Sequence, residues 1–105
     1  MKRPTEPKTA CRTPAEGRDG VTNIPSWKFD LLRAIILKVV EEAGSDGLPF
    51  SQLKDTVRLH LTGEDLAELG SLGWHTTCVK LEMEVAGDIK RLDAKGPQRI
   101  VLASL

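Results

Sequence analysis

The sequence lacks the features that mark several large classes of protein. It has only two cysteines, Cys11 and Cys78, too few for a disulfide framework and typical of a cytosolic chain with free thiols. Its longest apolar run, residues 34–37, is far too short to span a bilayer. The N-terminal region has no apolar stretch to form the core of a signal peptide. We therefore expect a soluble, cytoplasmic protein that binds no membrane.

The sequence also lacks an excess of charge of either sign, since 15 Lys and Arg residues balance 15 Asp and Glu residues. A dedicated nucleic-acid binder usually carries a basic excess, so any basic surface here has to be local. There is no phosphate-binding Gly-Lys-Ser/Thr loop, no nucleophile elbow and no pair of acids at a workable spacing. We therefore expect no enzymatic activity and no cofactor.

Two residues have a spacing that suits a metal site. His75 and Cys78 lie one helical turn apart, but zinc sites need three or four ligands and only His60 and Cys11 remain as candidates. Cys78 also falls in an apolar stripe, which would keep its thiol inert. A metal or redox-sensing site is thus the weaker interpretation. We expect no bound metal, and a partly buried, hydrogen-bonded His60.

Residues 1–25 are predicted to form a disordered tail, with one domain over residues 26–105. The tail contains four of the six prolines and almost no large apolar side chain before Val21. Such a composition buries too little surface to offset the entropy of ordering. Two roles stay open for it: a solubilising extension, which we favour, or a basic arm that reaches into a groove.

Three helices precede the last third of the chain. The first begins at Ser26, which we expect to cap it, and ends at Gly44. Its apolar face is formed by Leu32, Ile35, Ile36, Val39 and Ala43. Leu37 lies on the polar side, which makes it a candidate dimer contact. Leu48-Pro49-Phe50 suits a short edge strand, Ser51 is expected to cap a second helix, and Thr62 with Asp65 indicates a short helix over 63–69.

The last third of the chain predicts a helix over 71–86, capped by Ser71, and then a β-hairpin over 88–102. The helix has two apolar stripes, one of Trp74, Cys78, Leu81 and Val85 and the other of Val79, Met83 and Ala86. Two stripes indicate a helix contacted on two sides, by the other helices and by the hairpin or a second subunit. An isolated hairpin is marginal in water, so it should pack on this helix. The predicted class is therefore α+β.

This last segment resembles a known kind of domain. The residues that carry the resemblance are Val79-x-x-x-Met83-x-x-x-Gly87-x-Ile89-x-Arg91, followed by Arg99-x-x-Leu102. They are similar to the recognition helix and wing of MarR-like winged-helix regulators, and the upstream helix pattern agrees across residues 26–105. The whole also resembles a family of small bacterial winged-helix proteins. The resemblance implies a winged helix-turn-helix with three main helices, a C-terminal hairpin wing and a short edge strand.

The resemblance further implies a transcriptional regulator that binds double-stranded DNA, as a homodimer. The helix over 71–86 would enter the major groove and the hairpin would lie along the phosphate backbone. The candidate DNA contacts are His75, Thr76, Thr77 and Lys80 in the helix and Lys90, Arg91, Lys95 and Arg99 in the hairpin. Arg91 in such proteins commonly makes a structural ion pair at the wing.

An alternative function stays open, namely a protein–protein interaction module that keeps the winged-helix scaffold without binding DNA. The balanced charge, the acidic segment 64–68 and the two-striped helix favour it. The helix also carries Glu82 and Glu84, and it has no Arg, Asn or Gln to make the usual bidentate contacts with bases.

Overall fold

The computed structural model describes residues 3–12, 21–92 and 96–103. Within them the protein has an α+β fold, with four α-helices and two small antiparallel sheets, so the predicted class is confirmed. The elements in chain order are β1 (Lys8–Arg12), β2 (Val21–Pro25), α1 (Ser26–Ala43), β3 (Leu48–Pro49), α2 (Phe50–Arg58), α3 (Gly63–Leu69), α4 (Leu72–Ala86), β4 (Ile89–Arg91) and β5 (Arg99–Leu102).

The first sheet is an N-terminal hairpin in which β1 and β2 pair antiparallel, with Cys11 opposite Thr22. Cys11 and Ile24 point into the core and are fully buried. The prediction of a disordered tail is therefore wrong for residues 8–12 and 21–25, while residues 1–2 and 13–20 of that tail lie outside the described residues. Among the described residues of the hairpin, only Cys11 and Ile24 are buried, and an average over the composition of the segment does not detect two such residues.

The hairpin also explains how α1 begins. Ser26 is the first residue of this helix and not its cap, because its hydroxyl lies 2.7 Å from the hydroxyl of Thr9 in β1. Its backbone N–H donates to the carbonyl of Pro7 at 2.9 Å. The helix ends at Gly44 with a positive φ of 69°, as predicted. Leu37 is half-buried and packs against the core.

The other helices mostly begin where the sequence predicts. Thr62 and Asp65 form a capping box, with the Asp65 N–H donating to the Thr62 hydroxyl and the Thr62 N–H to the Asp65 carboxylate, both at 3.0 Å. The Ser71 hydroxyl caps α4 by accepting from the N–H of Trp74. Ser51 does not cap α2, since that helix already begins at Phe50.

The second sheet has three strands in the order β3-β5-β4. Leu48 of β3 pairs with Ile100 of β5, and Ile89 of β4 pairs with Leu102. The predicted short edge strand and hairpin are thus present, although residues 93–95 of the predicted turn lie outside the described residues. Ile89, Ile100 and Val101 are buried, and the sheet packs on α1 and α4.

Replacement of Ile24 tests whether the N-terminal hairpin belongs to the core. We expect Ile24→Ala to lower the free energy of unfolding by about 2–5 kcal/mol, because it removes a fully buried side chain and leaves a cavity. Val21→Ala in the same strand is the control, since Val21 is 58% exposed and should change stability by less than about 0.5 kcal/mol. Urea denaturation measures both, and equal effects would contradict the placement of β2.

Candidate interaction surface

Helix α4 is covered along one side by the N-terminal hairpin. The Arg12 guanidinium donates to both carboxylate oxygens of Glu82, at 2.9 and 2.6 Å, and the Arg12 backbone N–H donates to Glu82 Oε1 at 2.9 Å. Cys11 of β1 and Cys78 of α4 are both buried free thiols. Burial raises the pKa of the Cys11 thiol to about 11 and also raises that of Cys78. Thiols with raised pKa values are poor nucleophiles, so both cysteines act as small apolar side chains.

Two of the candidate DNA contacts near the start of α4 are buried. His75 lies against the core, and its Nδ1 is 2.6 Å from the carbonyl oxygen of Ser71. Burial lowers the pKa of this imidazole, which favours the neutral ring with Nδ1–H as the donor. Thr76 is buried as well. Neither side chain has the solvent access that a contact with a base edge requires.

Lys80 is also buried, with only 2% of its surface exposed. Its ammonium group forms an ion pair with Glu84, donates to the Gln98 side-chain oxygen at 2.6 Å and lies 4.6 Å from the ring centroid of Phe50. Burial lowers the pKa of this amine. Phe50 at the start of α2 and Gln98, the residue before β5, cover the Lys80 ammonium group. The expectation of a groove contact by Lys80 therefore conflicts with its position.

The hairpin cations occupy three different environments. Arg91 donates to Glu84 at 3.0 Å, the structural ion pair that the resemblance implies. Arg99 is exposed, with its guanidinium 3.4 Å from the carbonyl oxygens of residues 46 and 47. Lys90 is exposed, whereas Lys95 lies outside the described residues. The structure thus joins Lys80 and Arg91 through Glu84 but does not gather the predicted contacts on one open face.

The side of α4 that remains open is mainly apolar. Trp74 is 50% exposed and Val85 is 42% exposed, with exposed Thr77 and half-buried Leu81 between them. We call these four residues the α4 stripe. Trp74 packs edge-on against the His75 ring, with the two centroids 4.8 Å apart. Three residues of the α4 stripe belong to one of the two predicted apolar stripes, and Cys78, the fourth member of that predicted set, turns inward beneath β1.

Other kinds of site find little support in the described residues. No group of three or more His, Cys, Asp or Glu side chains among them is arranged to hold a metal ion. A membrane-spanning helix would have to be longer and more apolar than any in the described part of the chain. A cavity of about 400 Å³ lies beside Trp27 and has an amphipathic lining.

The ion pair between Arg12 and Glu82 predicts a pH-dependent stability. The Arg12 hydrogen bond lowers the pKa of Glu82 below its ordinary 4.5. The ion pair therefore adds to the free energy of unfolding above about pH 4.5. This stabilisation is lost as the pH falls through the pKa that Glu82 has in the folded protein. We expect Glu82→Gln to lower the denaturation midpoint near pH 7 and to converge with the parent chain in acid. Exposed Glu41, replaced by Gln, is the control; a pH-independent effect of Glu82→Gln would contradict the ion pair.

Comparison with known proteins places the chain in a family. Residues 8–100 match the family described as "Family of unknown function (DUF6958)". This span starts at the first residue of β1 and includes the N-terminal hairpin together with all four helices. No curated protein and no solved structure matches the chain. Because the match covers most of the sequence, the chain belongs to the family of unknown function DUF6958.

Proposed function

We propose that this protein is a protein–protein interaction module that associates with a second copy of itself through the α4 stripe. The observation that carries the proposal is the exposure of Trp74 and Val85 on one face of α4. Aromatic residues such as Trp are enriched at the centres of protein interfaces, where they contribute most of the binding energy. A half-exposed Trp in line with other apolar residues suits that use better than isolated exposure in solvent.

The scaffold that we propose for this module is a winged helix. The order α1, β3, α2, α4, β4, β5 and the sheet order β3-β5-β4 favour it, with α3 as an additional short helix before the third main helix. The N-terminal hairpin is then an addition that packs on α4 from the side. On this scaffold the helix that would enter the groove in a DNA-binding relative has four polar residues buried, namely His75, Thr76, Lys80 and Glu82.

A second copy is the partner that the geometry favours. Trp74 and Val85 lie eleven residues apart, about 16 Å along the helix axis. Two antiparallel α4 helices related by a twofold axis would place Trp74 of each chain opposite Val85 of the other, a large side chain against a small one. The balanced charge of the chain gives little repulsion between two copies. The Arg12–Glu82 and Arg91–Glu84 pairs would flank the apolar contact.

A charge exchange between two variants tests this arrangement. We expect Trp74→Lys alone and Val85→Glu alone each to weaken self-association at least about 10-fold, since each removes an apolar anchor. Mixing the two variants should restore association, because the new charges then face each other across one contact while Trp74 and Val85 meet in the other. Sedimentation velocity measures the dissociation constants.

The matched control is Leu59→Glu. Leu59 is 84% exposed, more than Trp74, but it follows the end of α2 and is not part of the α4 stripe. This variant should associate like the parent chain. A monomeric parent chain at millimolar concentration, or a mixture that associates no better than the single variants, would refute the antiparallel dimer.

DNA binding is the second candidate function, favoured by the exposure of Lys90 and Arg99 on the hairpin. These side chains could contact phosphates without any help from α4. We expect fluorescence anisotropy with random duplex DNA to show no salt-dependent binding at micromolar protein, because few free cations remain near α4. Binding that weakens with salt, and that is lost in Lys90→Ala with Arg99→Ala, would establish DNA as the ligand instead.

A further inference from the structure

The N-terminal segment places an arginine against an aromatic ring and two carboxylates on the surface. The Arg3 guanidinium lies 3.9 Å from the centroid of the Trp27 ring. Its Nη2 is 2.8 Å from Asp65 Oδ1 and 2.7 Å from Glu68 Oε2. We call Trp27, Asp65 and Glu68 the arginine clamp. A planar cation between an aromatic face and paired carboxylates satisfies both the stacking and the fork geometry of a guanidinium.

Asp65 and the junction of α1 with α3 are held by contacts that do not involve Arg3, whereas the Glu68 carboxylate accepts its hydrogen bonds from Arg3. Asp65 belongs to the capping box of α3, and the backbone hydrogen bond from Thr62 is the largest cause of its lowered pKa. Lys28, next to Trp27 in α1, donates from its ammonium group to the carbonyl of Leu69 at 3.1 Å and so ties α1 to the end of α3. A site whose groups are already positioned loses little entropy when a ligand binds.

A cavity adjoins the arginine clamp. Its volume is about 400 Å³, within the range typical of ligand pockets. The residues that line it are Arg3, Thr5, Pro25, Trp27, Lys28, Ala67 and Glu68. In a bound peptide, the residue next to the arginine could place its side chain in this cavity, against the apolar surfaces of Pro25, Trp27 and Ala67. The site therefore suits a short peptide better than a free guanidinium ion.

The segment that carries Arg3 is attached weakly apart from this contact. Residues 4–7 are all exposed and precede the first paired residue of β1. The first hydrogen bond between the backbone of this segment and the backbone of the rest of the chain is made by Pro7, whose carbonyl accepts from the Ser26 N–H. Residues 3–6 can therefore leave the surface while the hairpin stays paired. Short exposed segments that are held by few contacts open at a low free-energy cost.

We propose that the arginine clamp is a binding site for an arginine-bearing peptide segment of a partner protein, and that Arg3 occupies it as an intramolecular competitor. The carboxylates of Asp65 and Glu68 attract a cationic segment, and stacking on the Trp27 ring favours a guanidinium over an ammonium group. Because Arg3 is tethered, its effective concentration at the site is high, and it lowers the apparent affinity for any partner. This surface is separate from the α4 stripe, so the inference does not depend on the proposed function.

The test uses the hexapeptide of residues 1–6 with blocked ends, and the same peptide with neutral citrulline at its third position. Calorimetry gives the affinities, and the indole N–H resonance of Trp27 reports the place of binding. We expect the arginine peptide to bind the Arg3→Ala variant at least about 10-fold more tightly than it binds the parent chain, because the tethered competitor is gone. The citrulline peptide should bind at least about 10-fold more weakly, since it lacks the charge.

Two variants made in the Arg3→Ala chain locate the site. Glu68→Gln should weaken the binding of the arginine peptide at least about 10-fold, whereas Glu41→Gln, the same change at an exposed position of α1, should leave it unchanged. Equal binding of the arginine and citrulline peptides by a folded Arg3→Ala variant would overturn the proposal. So would equal binding of the arginine peptide by that variant and by the parent chain.

A second measurement applies if Arg3→Ala does not fold. The parent chain is then titrated with the arginine peptide to millimolar concentration while the side-chain Nε–H resonance of Arg3 is followed. Displacement of Arg3 moves this resonance to the position of a solvated arginine, and the citrulline peptide leaves it in place. An Arg3 resonance that does not respond to the arginine peptide would show a fixed structural ion pair and overturn the proposal.

Discussion

The packing of other segments around α4 is the constraint on which the rest of the structure depends. Helices α1 and α2, strand β1 and strand β4 all contact this one helix. Its core-facing residues Val79 and Met83 are fully buried, and the N-terminal hairpin covers Cys78 on another side of the helix. In a small domain each such contact is a large part of the total stability, since little surface can be buried altogether. Few side chains of α4 are left over for recognition.

The charged residues follow from the same constraint. Several of them join one element to another: Arg12 of β1 to Glu82 of α4, Arg33 of α1 to Asp88 before β4, and Arg91 of β4 to Glu84 of α4. The carboxylate of each of these pairs is at least partly buried, so each pair links two elements at the edge of the core. Cations used in this way are not available to phosphates. The even balance of charge is thus consistent with a protein that uses its cations internally.

The two surfaces that we propose for partners differ in their chemistry. The α4 stripe is apolar and straight, which suits a symmetric contact between identical helices. The arginine clamp is acidic and aromatic, and it lies where α1 meets α3. Its present occupant comes from the same N-terminal segment whose later residues form β1. Ordering of that segment therefore places Arg3 in the arginine clamp and Arg12 against α4, so that one stretch of chain contacts both regions.

Local signals predicted much of the fold. The glycine after α1, the capping box at Thr62 and the Ser71 cap gave correct helix boundaries, because each depends on neighbours a few residues away. The order of helices, edge strand and hairpin followed from apolar periodicity. Trp74, Leu81 and Val85 were also grouped correctly on one side of α4, so a part of the candidate site could be found from the sequence.

Contacts between distant residues decided the rest. Lys80 has the sequence pattern of a solvated lysine, and only the approach of Phe50 and Gln98 from other elements makes it a buried one. Cys11 and Ile24 are isolated apolar residues in a polar segment. The pairing of β1 with β2 and the packing of these two side chains in the core bring that segment into the fold. The sequence by itself determined which segments from Ser26 onward form helices and strands. Only the tertiary structure decided which faces of them are covered, because that depends on residues far apart in the chain.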